Sequence, residues 1–336
     1  MEKVSLRLAE AWIAAGRRVT LAIGSREGPL VAEIPAGAES VVIGDSRYGA
    51  LVRAMPRIVR DAAPDILFCP GNHYTAVAAW SRWRLGRRCP PVVAKVSNAL
   101  VRGDMGAVEA WGYRAWLRLH PRFIDALVAM TPGMAREAAE AMAMPPARIH
   151  VIANPAPRPG TGAAPAGRYL LGVGRLAPQK RWDRAIAALA RIADPAVTLV
   201  IFGEGPERDS LVERAAALGL EARVRLPGYV ADPSAAIRDA AAVVLTSDFE
   251  GVPGVLREAL AAGTPVVTTD SSIAVREIVA SPAQGSVVAV GDEVALVAAL
   301  DHWLAPGRAR PDPVVATGDP AATYAALFDS LVSPIS

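Results

Sequence analysis

The sequence predicts an α/β protein made of two doubly wound domains with parallel sheets, and three observations carry that reading. Short, continuous apolar runs alternate with amphipathic stretches, the pattern of strands buried on both faces between covering helices. The chain has 336 residues, enough for two domains. The stretch NPAPRPGTGAAPAG, residues 154–167, is rich in Pro, Gly and Ala and has no periodicity, so it reads as a linker between the two series.

The C-terminal series is the clearer one. Tyr169 to Gly174 reads as a buried strand and Asp183 to Ile192 as a helix. Thr198 to Gly203 is a strand and Arg208 to Leu218 a helix. Arg223 to Leu226, a short helix Pro233 to Ala241, and strand Ala242 to Thr246 follow. A helix near Gly254 to Ala262 and strand Pro265 to Thr269 continue the alternation. The N-terminal series places strands at Arg18 to Ile23, Ser40 to Ile43, Asp65 to Phe68, Pro91 to Val96, Ala126 to Met130 and His150 to Ile152. The expected division is an N-terminal domain 1–153, linker 154–167, a C-terminal domain 168–315 and a closing segment 316–336. In that last segment Tyr324, Leu327, Phe328 and Leu331 recur at helical spacing.

Composition excludes some classes. The chain is 52% hydrophobic and 21% charged, ordinary for a soluble α/β protein. Its apolar runs fall far short of the roughly 20 residues that span a bilayer. The opening MEKVSLRLAEAWIAAGRRV lacks the unbroken apolar core of a signal peptide. Cys69 and Cys89 have no metal-ligand spacing and read as reduced thiols of a cytoplasmic protein. Charge is uneven: residues 1–165 hold 21 Lys and Arg against 13 Asp and Glu, and residues 166–336 hold 15 against 20. A basic half suits an anionic membrane surface, a phosphate-bearing acceptor or nucleic acid. No nucleic-acid partner is expected for the chain.

Three segments carry chemistry. DFEGVPGVLREALAAGTPVVTTD, Asp248 to Asp270, follows a strand and opens a helix through a Gly- and Pro-containing turn. Free N–H groups at such a helix start suit a phosphate. Glu250 precedes the turn and Glu258 lies inside the helix; carboxylates accept hydroxyl hydrogen bonds from a ribose or hexose. Two Glu by themselves also fit a solvated helix start. VGRLAPQKRWD, Val173 to Asp183, puts Arg175 and Lys180 around a strand-to-helix turn, where two cations can converge on a diphosphate. With 33 Arg and three Lys in the chain, the compact charge of Lys180 beside Arg181 stands out. An exposed basic loop is the plainer alternative. FGEGPERD, Phe202 to Asp209, has Gly203 and Gly205 where a backbone can turn sharply.

In this order and on these elements, the segments resemble the donor half of family 4 glycosyltransferases, over residues 173–270. The shared pattern is a Gly-Arg-Leu…Lys loop, a Gly-x-Gly-Pro turn, and two Glu separated by seven residues before Gly-Thr-Pro-Val-Val. Val252-Pro253 departs from the pattern. The resemblance implies a GT-B architecture: two Rossmann-like domains facing a central cleft. It implies transfer of a hexosyl group, with retention, from a UDP- or GDP-linked sugar to a glycan, lipid-linked or small-molecule acceptor. Arg175 and Lys180 would grip the diphosphate, Glu258 the ribose, and Glu250 the transferred sugar. The backbone at Gly254, Val255 and Leu256 would meet phosphate or sugar hydroxyls. Gly174 and the turn Gly203, Glu204, Gly205 would line the nucleotide site. No Asp-x-Asp cluster is present, so no metal site and no cofactor are expected, charge stabilisation falling to Arg175, Lys180 and the helix start. A non-catalytic nucleotide-sugar-binding protein and a GT-B nucleotide-sugar epimerase are the alternatives.

The N-terminal half fits that family more loosely. DILFCPGNHYTAVAAW sets Gly71, Asn72 and His73 at a strand end, where His73 would contact donor sugar or acceptor, or serve as an ordinary solvated histidine. Thr131 reads as the N-cap of a helix with Pro132 at its first position. Trp80, Arg82, Trp83, Arg84, Arg87 and Arg88 combine aromatics and cations that suit the inner face of a cell membrane, with a solvated helix end as the alternative. Such an enzyme would sit in the cytoplasm or peripherally on the membrane, serving cell-envelope polysaccharide synthesis. Relatives open with a strand and a Gly-Gly-x-Glu turn before their first helix. Here Glu2 falls where that Glu belongs and the helix follows at once, closed by Gly16. A gap in the N-terminal sheet is therefore expected, and about 15–25 further residues upstream.

Overall fold

The computed structural model describes residues 2–28, 31–100, 105–155, 162–315 and 318–332, with Glu2 described in its backbone alone. Of the expected linker, residues 156–161 lie outside the described residues, as do 316–317 of the closing segment. The chain forms two compact units, Met1–Pro155 with Gly318–Ser336, and Ala156–Thr317.

The first unit runs α1 (Glu2–Ala14), β1 (Thr20–Ile23), β2 (Glu39–Val42), α2 (Tyr48–Ala62), β3 (Leu67–Cys69), α3 (Thr75–Leu85) and β4 (Val92–Lys95). It continues with α4 (Ala107–Leu117), β5 (Ala126–Ala129), α5 (Pro132–Met142) and β6 (Ile149–Val151). Gly16 ends α1 with φ +80°, a left-handed turn that glycine adopts without a side-chain clash. Thr131 caps α5 by accepting the Met134 N–H at 3.3 Å. Among the described residues, the strands of this unit fall into two sheets. β1 pairs with β2 in one parallel ribbon, and β3-β4-β5-β6 form a separate parallel sheet. β4 and β5 are buried along their length, as strands covered on both faces must be.

The last helix also belongs to this unit. It comes after the second unit's elements in the chain and packs on α1 and β3. The Trp12 indole N–H donates to the Ala321 carbonyl at 3.1 Å. The ring sits edge-on to Phe68, Tyr324 and Phe328 at 5.4, 5.7 and 5.1 Å between centroids, the arrangement aromatic quadrupoles favour. Tyr324 is 1% exposed and its hydroxyl has no partner among the described residues. Burial raises the pKa of that phenol.

The second unit runs β7 (Tyr169–Val173), α6 (Trp182–Leu189), β8 (Thr198–Phe202), α7 (Arg208–Ala217), β9 (Val224–Gly228), α8 (Ser234–Asp239) and β10 (Ala242–Leu245). Then come α9 (Gly254–Ala261), β11 (Val266–Thr269), α10 (Ile273–Ile278), β12 (Gly285–Val288) and α11 (Glu293–Leu304), before α12 (Pro320–Val332) in the first unit. Its six strands are parallel in the order β12-β11-β10-β7-β8-β9. The chain winds outward from β7 to β9, then crosses back to β10 on the other side. That makes the boundary of β7 and β10 the topological switch point, where loops diverge at the strand carboxyl ends and leave room for a ligand. No helix among the described residues is long and apolar enough to cross a membrane.

Candidate functional site

The loops after β7 and β10 meet at this switch point, and small residues let them do so. A Cβ at Gly172 would lie 2.7 Å from the Trp182 ring, so the strand accepts that indole because it has no side chain there. The Trp182 indole N–H then donates to the Arg175 carbonyl at 3.1 Å and props up the loop 175–181. Arg181 closes the loop in the left-handed region, φ +48°, a conformation that side chains disfavour and surrounding bonds must enforce. They do so here. Arg181 Nε and Nη2 donate to Asp183 at 3.0 and 2.9 Å, and Nη1 to Asp248 at 3.3 Å. Arg184 donates to the other Asp248 oxygen at 2.6 Å. The Thr246 hydroxyl donates to the Arg181 and Lys180 carbonyls at 2.8 and 3.1 Å, and the Asp248 N–H to Gln179 O at 2.9 Å. Burial raises the Asp183 carboxyl, but the hydrogen bond and charge of Arg181, with Arg184, outweigh it and hold the group below its ordinary pKa.

This lacing delivers Lys180 to Glu250. Lys180 Nζ donates to Glu250 Oε1 at 2.5 Å and lies 3.6 Å from where a Gly174 Cβ would stand. Glu250 is 8% exposed, and a carboxylate so far removed from water needs partners. The Ser247 hydroxyl supplies a second, donating to the same Oε1 at 2.6 Å, while the Glu250 N–H donates to Ser271 O at 2.9 Å. Four residues on, α9 begins at Gly254, with no side-chain cap on its first turn. Gly254 is exposed, Val255 half-buried and Leu256 fully buried in the core, so this turn is anchored through Leu256. Glu258 is half-exposed on the same helix.

The turn after β8 locks onto the same loop. A Cβ on Gly203 would stand 1.9 Å from Gly174 O, and one on Gly205 2.2 Å from Leu176 O. In place of side chains, backbone bonds join them: Gly174 N–H to Phe202 O and Leu176 N–H to Glu204 O, both 2.9 Å. The Glu204 carboxylate is held by Arg208 at 2.9 and 3.0 Å and lies against Gly228. Arg175 is exposed.

Sequence reasoning therefore named residues that the second unit brings together: Gly174, Lys180 and Glu250, with the Gly203–Gly205 turn against Gly174 and Leu176. It missed Ser247, and it missed the roles of Arg181, Arg184, Thr246 and Asp248. The clue to Ser247 was its position three residues before Glu250 at a strand end. His73 belongs to the first unit. It is exposed, its ring 4.4 Å from that of Tyr48, whose hydroxyl donates to the His73 carbonyl at 2.5 Å. Asn72 bridges two strand ends, donating to Asn98 O at 3.1 Å and accepting from the Ser97 N–H at 2.8 Å. In the same unit the Trp80 and Trp83 rings lie 4.9 Å apart, tilted by 43°, Arg84 lies 5.8 Å over Trp80, and Arg82 pairs with Asp125. Trp83 is 70% exposed, two residues before α3 ends.

A parallel sheet with a charged, glycine-lined switch point defines a doubly wound α/β protein that binds its ligand at the strand carboxyl ends, and comparison with known proteins narrows the class. Residues 1–155 match the glycosyl transferase 4-like domain and residues 157–312 the glycosyl transferases group 1 model. The chain belongs to this glycosyltransferase family. It is 36% identical over 188 residues to glycogen synthase of Mycobacterium tuberculosis, covering 52% of this chain and 42% of that one. It is 30% identical over 200 residues to the lipopolysaccharide core biosynthesis glycosyltransferase LpsE of Rhizobium meliloti, covering 56% of each. The matches thus span less than two thirds of either relative. In fold it is similar to Anabaena HepE in complex with UDP and glucose, with a TM-score of 0.73 at 20% identity, covering 98% of this chain and 91% of the other.

Proposed function

We propose that the chain is a retaining, metal-independent glycosyltransferase. It moves a hexosyl group from a UDP- or GDP-linked sugar to a saccharide or lipid-linked acceptor in cell-envelope polysaccharide synthesis. The observation that carries this is the Lys180–Glu250 pair, 2.5 Å apart over Gly174 at the switch point. It sets a cation and a hydroxyl-accepting carboxylate side by side, as a diphosphate joined to a sugar requires.

In this reading the nucleoside diphosphate leaves with added negative charge. Lys180, Arg175 and the open first turn of α9 at Gly254, Val255 and Leu256 stabilise it without reorganising. Glu250 orients the transferred sugar, Glu258 binds the ribose, and the Gly203–Gly205 turn admits the base. No side chain is assigned as a covalent nucleophile, so the acceptor attacks on the face the diphosphate leaves. The names of LpsE and HepE's bound UDP and glucose support the donor and acceptor classes. The exposed Trp83 with Arg84, Arg87 and Arg88 supports contact with an anionic bilayer.

A panel of nucleotide-sugars tested for protection against thermal unfolding identifies the donor, since a ligand bound only by the folded state raises the midpoint. Transfer is then followed with and without a chelator. Activity should persist in chelator with the product anomer unchanged from the donor. Loss restored by a divalent metal refutes the metal-free mechanism, and donor binding without turnover points to a non-catalytic binding protein.

A further inference from the structure

The Glu250 carboxylate is used asymmetrically. Both donors, Lys180 Nζ at 2.5 Å and Ser247 Oγ at 2.6 Å, converge on Oε1, and no described residue bonds to Oε2. The terminal torsion of a glutamate is soft, so a free carboxylate would rotate and exchange its oxygens. Here the rotation is pinned. Ser247 is fully buried, two residues past β10, and its carbonyl accepts the Thr269 hydroxyl at 2.6 Å. Glu250 is tied two residues further along the same neighbouring segment, through its N–H to Ser271 O. Ser247 and Glu250 are therefore both anchored at the end of β11, on Thr269 and Ser271.

The two donors differ in what else is asked of them. Lys180 carries three donors on a flexible four-carbon stem, and a diphosphate would draw on them. Ser247 has one hydrogen, and it is given to Glu250 Oε1. When Lys180 turns to phosphate, Ser247 is what still holds Oε1.

We infer that Ser247 is a positioning residue: its hydroxyl fixes Glu250 with Oε2 presented to a hydroxyl of the transferred sugar. It thereby sets how strongly the site binds the sugar-bearing donor relative to the bare nucleoside diphosphate. This rests on the functional reading above and adds to it a residue that acts through Glu250 without touching the donor.

The test is calorimetric titration of the full chain with UDP, UDP-glucose, UDP-N-acetylglucosamine, GDP and GDP-mannose. In Ser247→Ala the affinity for the bare diphosphate should hold, while the ratio of sugar-donor to diphosphate dissociation constants rises about tenfold. Ser247→Cys, close in shape and a weaker donor, should fall between, and it carries the test if the alanine variant does not fold. In a Glu250→Gln background, Ser247→Ala should add little, because the two act as one unit. If no ligand of the panel binds the wild type, the functional reading fails and this inference with it. If ligands bind and the ratio stays put in Ser247→Ala, or both affinities fall together, the inference alone is overturned.

Discussion

Lys180 and Glu250 are 70 residues apart in the chain and 2.5 Å apart in space, their side chains 17% and 9% exposed. Removing one member of such a pair strands the other charge away from water. Lys180→Ala should cost about 3 kcal/mol of folding stability, whereas Glu250→Gln, which keeps a hydrogen-bonding group, should cost less. Chemical denaturation measures both. A loss below about 1 kcal/mol for Lys180→Ala would mean that solvent screens the pair as it does on a surface.

Arg175 separates function from stability. Its side chain is exposed while its backbone carries the structural bonds. Arg175→Ala should leave the unfolding midpoint in place and lower kcat/KM about 10²–10³-fold, the loss typical of one preorganised charge stabiliser. Unchanged kcat/KM would remove Arg175 from the site.

The glycine turn makes a steric prediction. A methyl group on Gly203 would meet Gly174 O at 1.9 Å, and that oxygen belongs to a backbone already bonded to the neighbouring strand. Gly203→Ala should cost more than about 3 kcal/mol and abolish nucleotide binding. Gly112, inside α4 with nothing within 4 Å of its added Cβ, is the control. Gly112→Ala should stabilise by about 0.5–1 kcal/mol, since alanine favours a helix interior. Equal losses at both positions would contradict the steric account.

The second unit was legible because strand, turn and helix there follow one another locally, so Gly174, Lys180 and Glu250 could be set at strand ends from the sequence. Ser247 and the Arg181–Asp248–Arg184 lacing were not, since their meaning depends on β7 and β10 being neighbours, which only the strand order supplies. Helix ends shifted for local reasons. The helix expected over Asp183 to Ile192 runs Trp182–Leu189, starting where Arg181 turns left-handed. In the first unit, α2 and α4 escaped the reading. α2 carries Pro56 inside it, and α4 turns Val108 and Trp111 outward, 84% and 73% exposed. Apolar spacing reports a buried face only where a partner covers it.

Acid should weaken the first unit through His120. This residue is 1% exposed, in a turn after α4, with Nδ1 3.0 Å from Trp116 O and 3.1 Å from Leu117 O. Burial lowers its pKa, and the backbone bonds oppose that without cancelling it. Burial lowers His150 as well. The unfolded chain, with an ordinary histidine near pH 6.5, then takes up a proton where the folded unit stays neutral. The stabilisation is whole above about pH 6.5, starts to erode as pH drops past that value, and is lost once pH falls through the lowered folded pKa. Urea unfolding from pH 7.5 down to pH 5 should show a falling midpoint. His120→Gln keeps an N–H for the same carbonyls but does not titrate, so its midpoint should fall less over that range. The His120 imidazole resonance of the folded wild type should titrate below the ordinary value. If wild type and variant lose stability in parallel, the acid sensitivity belongs to other groups and His120 is only a packing residue.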